Sequence, residues 1–481
     1  MKRSLFVVTG AVLCLGSVPE TWAQQSFEEW QAQQNEAFQE YRSREDAEFS
    51  AFLAREWEQF QAFLESGVYE APKLDDPPRI DAATRSPASS ILPPGRGVPD
   101  TPDPVDRDQL FPDHLVVSFF GIDLEISAES PFANMRLEQI SPEGFSEYWS
   151  SAVSAEGGKL AETIRAAAGE ASLSAYDLFR LTAFVVEELF PTERDRVAAI
   201  WFLMVKNGYD MRIAHNGDHV VLLLPSSNTL YQTAYFDGDD RRYYLIRSDG
   251  TAFREGMRWH TYNALFPGSE SEITLEHSDS FDLPERMRTE RLSFTYRGDE
   301  YTITVPVNEN TVDYLARYPH SDWWVHFFPP ITSRTRQVMI EELGRIVAGR
   351  TPAEAANILI RFVQTAFPYE TDQDHFGFEK WQAPEEILFY RASDCDDRSI
   401  LYALLLREVL GWDDVAMLLY PGHLAVAVPQ RRLGVSGDSV RVNGETYIVT
   451  DPTYIGADIG MAMPQFRNVQ PEAHVIRRPR R

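Results

Sequence analysis

Three side chains toward the C-terminal end of the chain could together activate a nucleophile. They are Cys395 in "RASDCDDRSILYALLL", His423 in "YPGHLAVAV" and Asp451 in "YIVTDPTY". An imidazole can take the thiol proton to give a thiolate–imidazolium pair, while a carboxylate fixes the ring's tautomer and supports its positive charge. Cys395 and His423 are 28 residues apart, as are His423 and Asp451, although such groups need only meet in space. Each residue alone has an ordinary role, as a buried small hydrophobe, a core histidine or a turn carboxylate. Their order, and the elements that carry them, make the argument.

Those elements can be read locally. A helical pattern opens at Cys395 and runs through Leu401, Leu404, Leu405 and Val409 to Gly411, a natural C-cap. Two strand-like runs follow, with His423 at the start of one and Asp451 at the end of the other. The acids around Cys395 look hostile to a thiolate. Asp394, however, occupies the N-cap position, and Asp397 the acidic position of a capping box. Asp396 is expected to face solvent. The helix start itself offers positive potential to a thiolate.

The order of motifs resembles that of the transglutaminase-like superfamily of papain-like cysteine enzymes. The resemblance rests on "SDCDDRSILYALLLREVLG", "YPGHLAVAV" and "YIVTDPTYIGADIG", and covers roughly residues 291–464. It implies an α+β papain-like core, with a cysteine-bearing helix packed on an antiparallel sheet. It also implies Cys395 as nucleophile, His423 as general base and acid, Asp451 as orienting carboxylate, and an acyl-thioenzyme resolved by water or an amine. The upstream "FVQTAFPYETDQDHFGFEKWQAPEEILFY" would wall the cleft. For the oxyanion, the Cys395 backbone N–H is one natural donor. Gln364, Tyr369 and Trp381 are the side-chain candidates.

No cofactor or metal is expected. His215 and His219 have a metal-like spacing, but they straddle a strand and a turn. The acidic runs "DGDD" and "TDQDH" match no complete calcium loop.

An earlier region echoes these motifs. In "LTAFVVEELFPTERDRVAAIWFLMVKNGYDMRIAHNGDHVVLLLP", Asp195-Arg196 matches Asp397-Arg398 and His219 matches His423. Glu193 stands where Cys395 would be. We expect a duplication, with a degenerate domain over 113–290 and a catalytic domain over 291–481.

The N-terminal parts carry no such chemistry. Residues 1–23 have a basic start, a short apolar core and Ala23 at a cleavage point, as in an export signal for the periplasm or for secretion. Over 24–67, Phe27, Phe38, Phe49 and Phe60 recur every eleven residues. Trp30, Tyr41, Phe52 and Phe63 each follow three positions later. This period predicts one long helix, Gln25 to Ser66, with a nearly straight aromatic stripe. The stripe would pack on the body of the protein, or in coiled-coil fashion on a partner or second copy. Residues 68–112 are Pro-rich and read as an extended linker.

A net charge of −28 over 481 residues argues against nucleic acid or an anionic membrane as partner. No apolar run is long enough to span a bilayer. A protein or peptide amide is the expected substrate, with hydrolysis favoured over crosslinking by transamidation. The different class is a non-catalytic binding or scaffold protein of the cell envelope.

Overall fold

The computed structural model describes residues 40, 42–64, 114–127, 130–238, 240–252, 258–277, 282–328 and 330–476. The export signal, the start of the N-terminal helix and the Pro-rich linker lie outside them. The fold is mixed α+β, with antiparallel sheets that curl into two half-barrels. No described helix is long and apolar enough to cross a membrane.

The first half begins with helix α1 (42–53) and strands β1 (Glu58–Gln61) and β2 (Phe63–Leu64). A hairpin follows, β3 (His114–Phe119) and β4 (Ile122–Ser127). Four helices come next: α2 (Pro142–Ser154), α3 (Gly157–Glu170), α4 (Ala175–Leu189) and α5 (Glu193–Lys206). Strands β5 (Arg212–His215), β6 (Val220–Ser226), β7 (Ala234–Asp237), β8 (Arg242–Ile246) and β9 (Arg258–Thr261) complete it.

The second half repeats the plan. It opens with the hairpin β10 (Met287–Tyr296) and β11 (Asp299–Asn308). Helices α6 (Glu309–Leu315), α7 (Ser333–Val347), α8 (Pro352–Thr365), α9 (Asp372–His375) and α10 (Pro384–Tyr390) lead to α11 (Cys395–Leu410). Then come β12 (Ala416–Tyr420), β13 (His423–Pro429) and α12 (Gln430–Leu433). Strands β14 (Ser439–Val442), β15 (Glu445–Thr450) and β16 (Glu472–Val475) end the described chain.

Local chemistry explains these boundaries. Both hairpins turn on a residue pair with positive φ, Phe120-Gly121 and Arg297-Gly298. Such turns match the twist of the flanking strands, and their second position suits glycine. Side chains of Ser141, Thr192 and Thr351 accept backbone N–H groups at the starts of α2, α5 and α8. Gly411, in the left-handed conformation, ends α11. Helices α5 and α11 are buried over most of their length, and β6 and β13 are buried throughout. A strand covered on both faces reads as a continuous apolar run, as "VVLLLP" and "HLAVAVP" do.

Strand order runs β9-β5-β6-β8-β7 in the first half and β16-β12-β13-β15-β14 in the second, so each strand has a counterpart in the same place. One feature differs. β1 pairs with β9 and β2 with β7, so residues 58–64 bind both edges of the first sheet.

That pairing corrects the expected long helix. The eleven-residue period predicts helix through Ser66, yet helix ends at residue 53 and two strands follow. Two open sheet edges present unpaired backbone donors and acceptors, and satisfying them outweighs continuing the apolar stripe. The described part of the stripe packs on the chain itself. Phe49 is buried edge-on to Trp149 at 4.6 Å, whereas Phe63 on β2 is 59% exposed. Lys206 pairs with Asp46 at 2.8 Å, and both side chains are buried.

Candidate functional site

Cys395 is the first residue of α11, buried at 4% exposure. Asp394 is the N-cap, and its backbone N–H donates to Asp397 at 3.2 Å, the reciprocal half of a capping box. Asp397 also accepts from the backbone N–H and side-chain amide of Gln382, at 2.7 and 2.6 Å. Its charge is thus spent on fastening the upstream wall of the cleft to the helix start.

Asp396 is not turned to solvent. It is 4% exposed, and its Oδ1 lies 3.8 Å from the Cys395 Sγ. The segment over 369–382 folds across the helix start and covers it, a long-range contact that no local pattern announces. This segment brings Asp372 and Glu379 to the same place. Ligand atoms lie within 4.8 Å of one another in three groups: Asp394, Cys395 and Asp396; Asp372, Asp394 and Asp397; and Asp372, Glu379 and Asp396. Carboxylates at this density could hold a hard cation. Capping and amide bonds already account for Asp397, and Asp372 accepts from the Lys380 N–H at 2.8 Å. We assign no metal.

His423 opens β13, its side chain fully buried. Its Nε2 lies 2.8 Å from the Asp451 Oδ2, and its ring stacks on Phe466 with centroids 4.9 Å apart and planes 8° from parallel. The Nδ1 is buried and has no hydrogen-bond partner among the described residues. In the neutral ring, Nε2–H donates to Asp451 and leaves the Nδ1 lone pair for another proton. Asp451 serves two purposes, because its Oδ1 also accepts from the N–H groups of Thr453 and Tyr454, at 3.0 and 3.3 Å. One oxygen thus belongs to the turn and the other to His423.

Helix and strand are locked together beside these groups. The Ser399 hydroxyl, one helical turn beyond Cys395, donates to the Leu424 carbonyl at 3.0 Å, one residue beyond His423. One turn spans about 5.4 Å, so the bond joins α11 and β13 close to the ends that carry Cys395 and His423.

The three oxyanion candidates part company. Gln364 is buried, and its amide nitrogen donates to the carbonyls of Asp451, Tyr454 and Ala457, at 3.2, 2.8 and 3.2 Å. Its oxygen accepts from the Gly456 N–H at 3.1 Å. Both ends are spent on the loop that carries Asp451, and the amide N–H groups point at its carbonyls. Trp381 stacks on His326, centroids 5.5 Å apart, and lines a cavity between the two halves.

Tyr369 is the candidate beside the thiol. Burial first, and the charge of Cys395 second, push its phenol well above the usual range. Its hydroxyl is buried and has no hydrogen-bond partner among the described residues.

Sequence reasoning missed the group that holds Tyr369. The fully buried Arg398 guanidinium lies over the Tyr369 ring at 5.1 Å and donates to the Ser393 hydroxyl and the Phe367 carbonyl, at 3.2 and 2.9 Å. Burial brings it down to about 10, an effect that Tyr369, Asp394 and Asp397 oppose. The repeated Asp-Arg pair was the available signal. Arg196 likewise donates to the Phe190 carbonyl at 2.7 Å, and each phenylalanine precedes a proline.

Strand register shows what the first half holds at these positions. Leu222 faces Ile246, as Val426 faces Thr450, and Pro225 faces Tyr243, as Pro429 faces Tyr447. One offset relates both ladders, so His219 takes the place of His423 and Arg247 that of Asp451. Thr192 and Asp394 are the caps of α5 and α11, so Glu193 takes the place of Cys395. Glu193 accepts from the backbone N–H and hydroxyl of Ser248, at 2.9 and 2.5 Å. His219 is exposed in a turn.

Comparison with family models, with curated proteins and with solved structures finds no match to this chain.

Proposed function

We propose that the chain is a cysteine-dependent peptidase or amidase of transglutaminase-like type, with Cys395 as nucleophile, His423 as base and acid, and Asp451 as orienting carboxylate. The observation that carries this reading is the state of His423: one nitrogen on Asp451, the other buried and without a hydrogen-bond partner among the described residues, on a strand tied to the thiol's helix. In the reaction, Nδ1 takes the thiol proton and Sγ bonds to the amide carbon. The imidazolium then protonates the departing amine as the C–N bond breaks. Water, deprotonated by His423, attacks the acyl-thioenzyme and releases acid and free thiol. The Cys395 N–H and the Tyr369 hydroxyl would stabilise the oxyanion.

On this reading the two halves descend from a duplication. Matching strand order and register support it, and Glu193, His219 and Arg247 leave the first half without the chemistry. The chain would act after export, on a protein or peptide of the cell envelope.

Labelling and turnover test the reading together. Iodoacetamide at neutral pH should alkylate Cys395 at least about tenfold faster than a model thiol, as a thiolate–imidazolium pair requires. Cys395→Ala should abolish cleavage of an envelope peptide pool without lowering the melting temperature. Slow labelling, or equal turnover in the mutant, would end the proposal.

A further inference from the structure

A cavity of about 670 Å³ lies between the two halves. That volume is in the range that holds a small organic molecule or a few residues of peptide. One wall is α4, through Phe179, Arg180 and Ala183; the facing wall is the 378–386 segment, through Glu379, Lys380 and Trp381. The same segment is bonded to the helix start through Gln382 and Asp397. Phe378, 58% exposed, is also part of the lining.

Arg180 is the unusual member of this lining. It is 6% exposed, and its guanidinium lies over the rings of Tyr314 and Phe120, at 4.6 and 5.1 Å. Nη1 donates to the Tyr314 carbonyl at 3.0 Å, whereas Nη2 is buried and has no hydrogen-bond partner among the described residues. Arg180 forms no ion pair with any described carboxylate. Asp177, one turn earlier on α4, accepts instead from Ser174 and from the Tyr314 hydroxyl. A buried guanidinium with an unfilled N–H and no directly bonded carboxylate is costly, and a ligand that brings an acceptor anion recovers part of that cost. Arginine is also the side chain best shaped to grip a carboxylate with two parallel bonds.

Other lining groups suit a peptide. Trp381 and the exposed Phe378 present ring surface, and His326 offers a buried Nε2 with no hydrogen-bond partner among the described residues. Burial holds His326 at about 3 and His277 at about 4, so both rings stay neutral and add no competing charge at ordinary pH. One residue of the cavity wall also lies near the thiol's helix start. Glu379, in its wall, has a carboxylate oxygen within 4.8 Å of one on Asp396, whose Oδ1 is 3.8 Å from Sγ.

We propose that this cavity binds a short peptide through a free carboxylate held by Arg180, with an apolar side chain against Trp381. That the bound peptide is the substrate rests on the thiol chemistry proposed above; the binding itself does not. The first half would then supply substrate recognition for the second.

Calorimetric titration of the full-length Cys395→Ala protein tests binding without turnover. The probes are the tripeptide Ala-Phe-Ala and its C-terminal amide. The acid should bind at least about tenfold more tightly than the amide, the scale of one charge-assisted contact. Arg180→Gln should remove that preference. Ala183→Trp, which fills the cavity and removes no buried charge, should abolish binding of both, with melting temperatures reporting that each variant folds. Equal affinity for acid and amide, no saturable binding of either, or a folded Ala183→Trp protein that binds as before would overturn the proposal. Because no cysteine takes part, failure here leaves the thiol reading standing, and failed labelling leaves this one standing.

Discussion

The Gln364 side chain donates to the Asp451 carbonyl at 3.2 Å and thereby fastens the loop whose carboxylate holds His423. With the Tyr454 and Ala457 carbonyls on the same nitrogen, one amide on α8 converges on three backbone oxygens.

That convergence makes Gln364→Glu more harmful than Gln364→Leu. A carboxylate would face three carbonyl oxygens, whereas leucine leaves them merely unsatisfied, at about 1–3 kcal/mol. Both variants should slow iodoacetamide labelling of Cys395 by loosening Asp451, and Glu should lower the melting temperature further. Equal melting of both variants and the parent would show that the loop stands without this amide.

Tyr369→Phe separates transition-state stabilisation from thiol activation. If the hydroxyl serves the oxyanion, turnover falls on the order of 100-fold while the labelling rate of Cys395 is unchanged. A parallel loss of labelling would instead assign Tyr369 to packing around the thiol.

The first half should not become reactive by restoring a thiol. In a protein carrying both Glu193→Cys and Cys395→Ala, the introduced thiol would have Arg247 in the orienting position and an exposed histidine. The Ser248 bonds would also be lost. Labelling at the rate of a model thiol or slower is expected; fast labelling would mean that the register equivalence misses the functional geometry.

Acid should weaken the fold through the histidines between the halves. His277 and His326 stand at about 4 and about 3 in the folded chain, from an ordinary value of 6.5, burial being the largest cause for each. The unfolded chain therefore binds their protons first. Their contribution is fully present above about 6.5 and is lost as pH falls toward 4 and 3. The drop in melting temperature between pH 7 and pH 5 should be smaller in His326→Phe than in the parent. An unchanged drop would show that His326 takes no part.

Much of the site could be read from single segments, because short-range rules govern those segments. An N-cap, its capping-box partner and a C-terminal glycine define α11, and Asp397 met the expectation placed on it. The largely apolar, fully buried runs of β6 and β13 and the repeated Asp-Arg pair likewise showed two parallel plans. Long-range pairing decided the rest. Residues 58–64 carry a helical period, but two sheet edges offered them backbone partners and made them strands. Asp396 has the pattern of a solvent-facing helix residue, but a segment from upstream covers it. Gln364 could have pointed at a substrate or at a loop. Only the arrival of residues 451–457 beside α8 spent its hydrogen bonds on three carbonyls. Caps and periodicity are set within one or two turns of chain, whereas the cavity, the buried guanidinium and the free nitrogen of His423 exist only once distant segments meet.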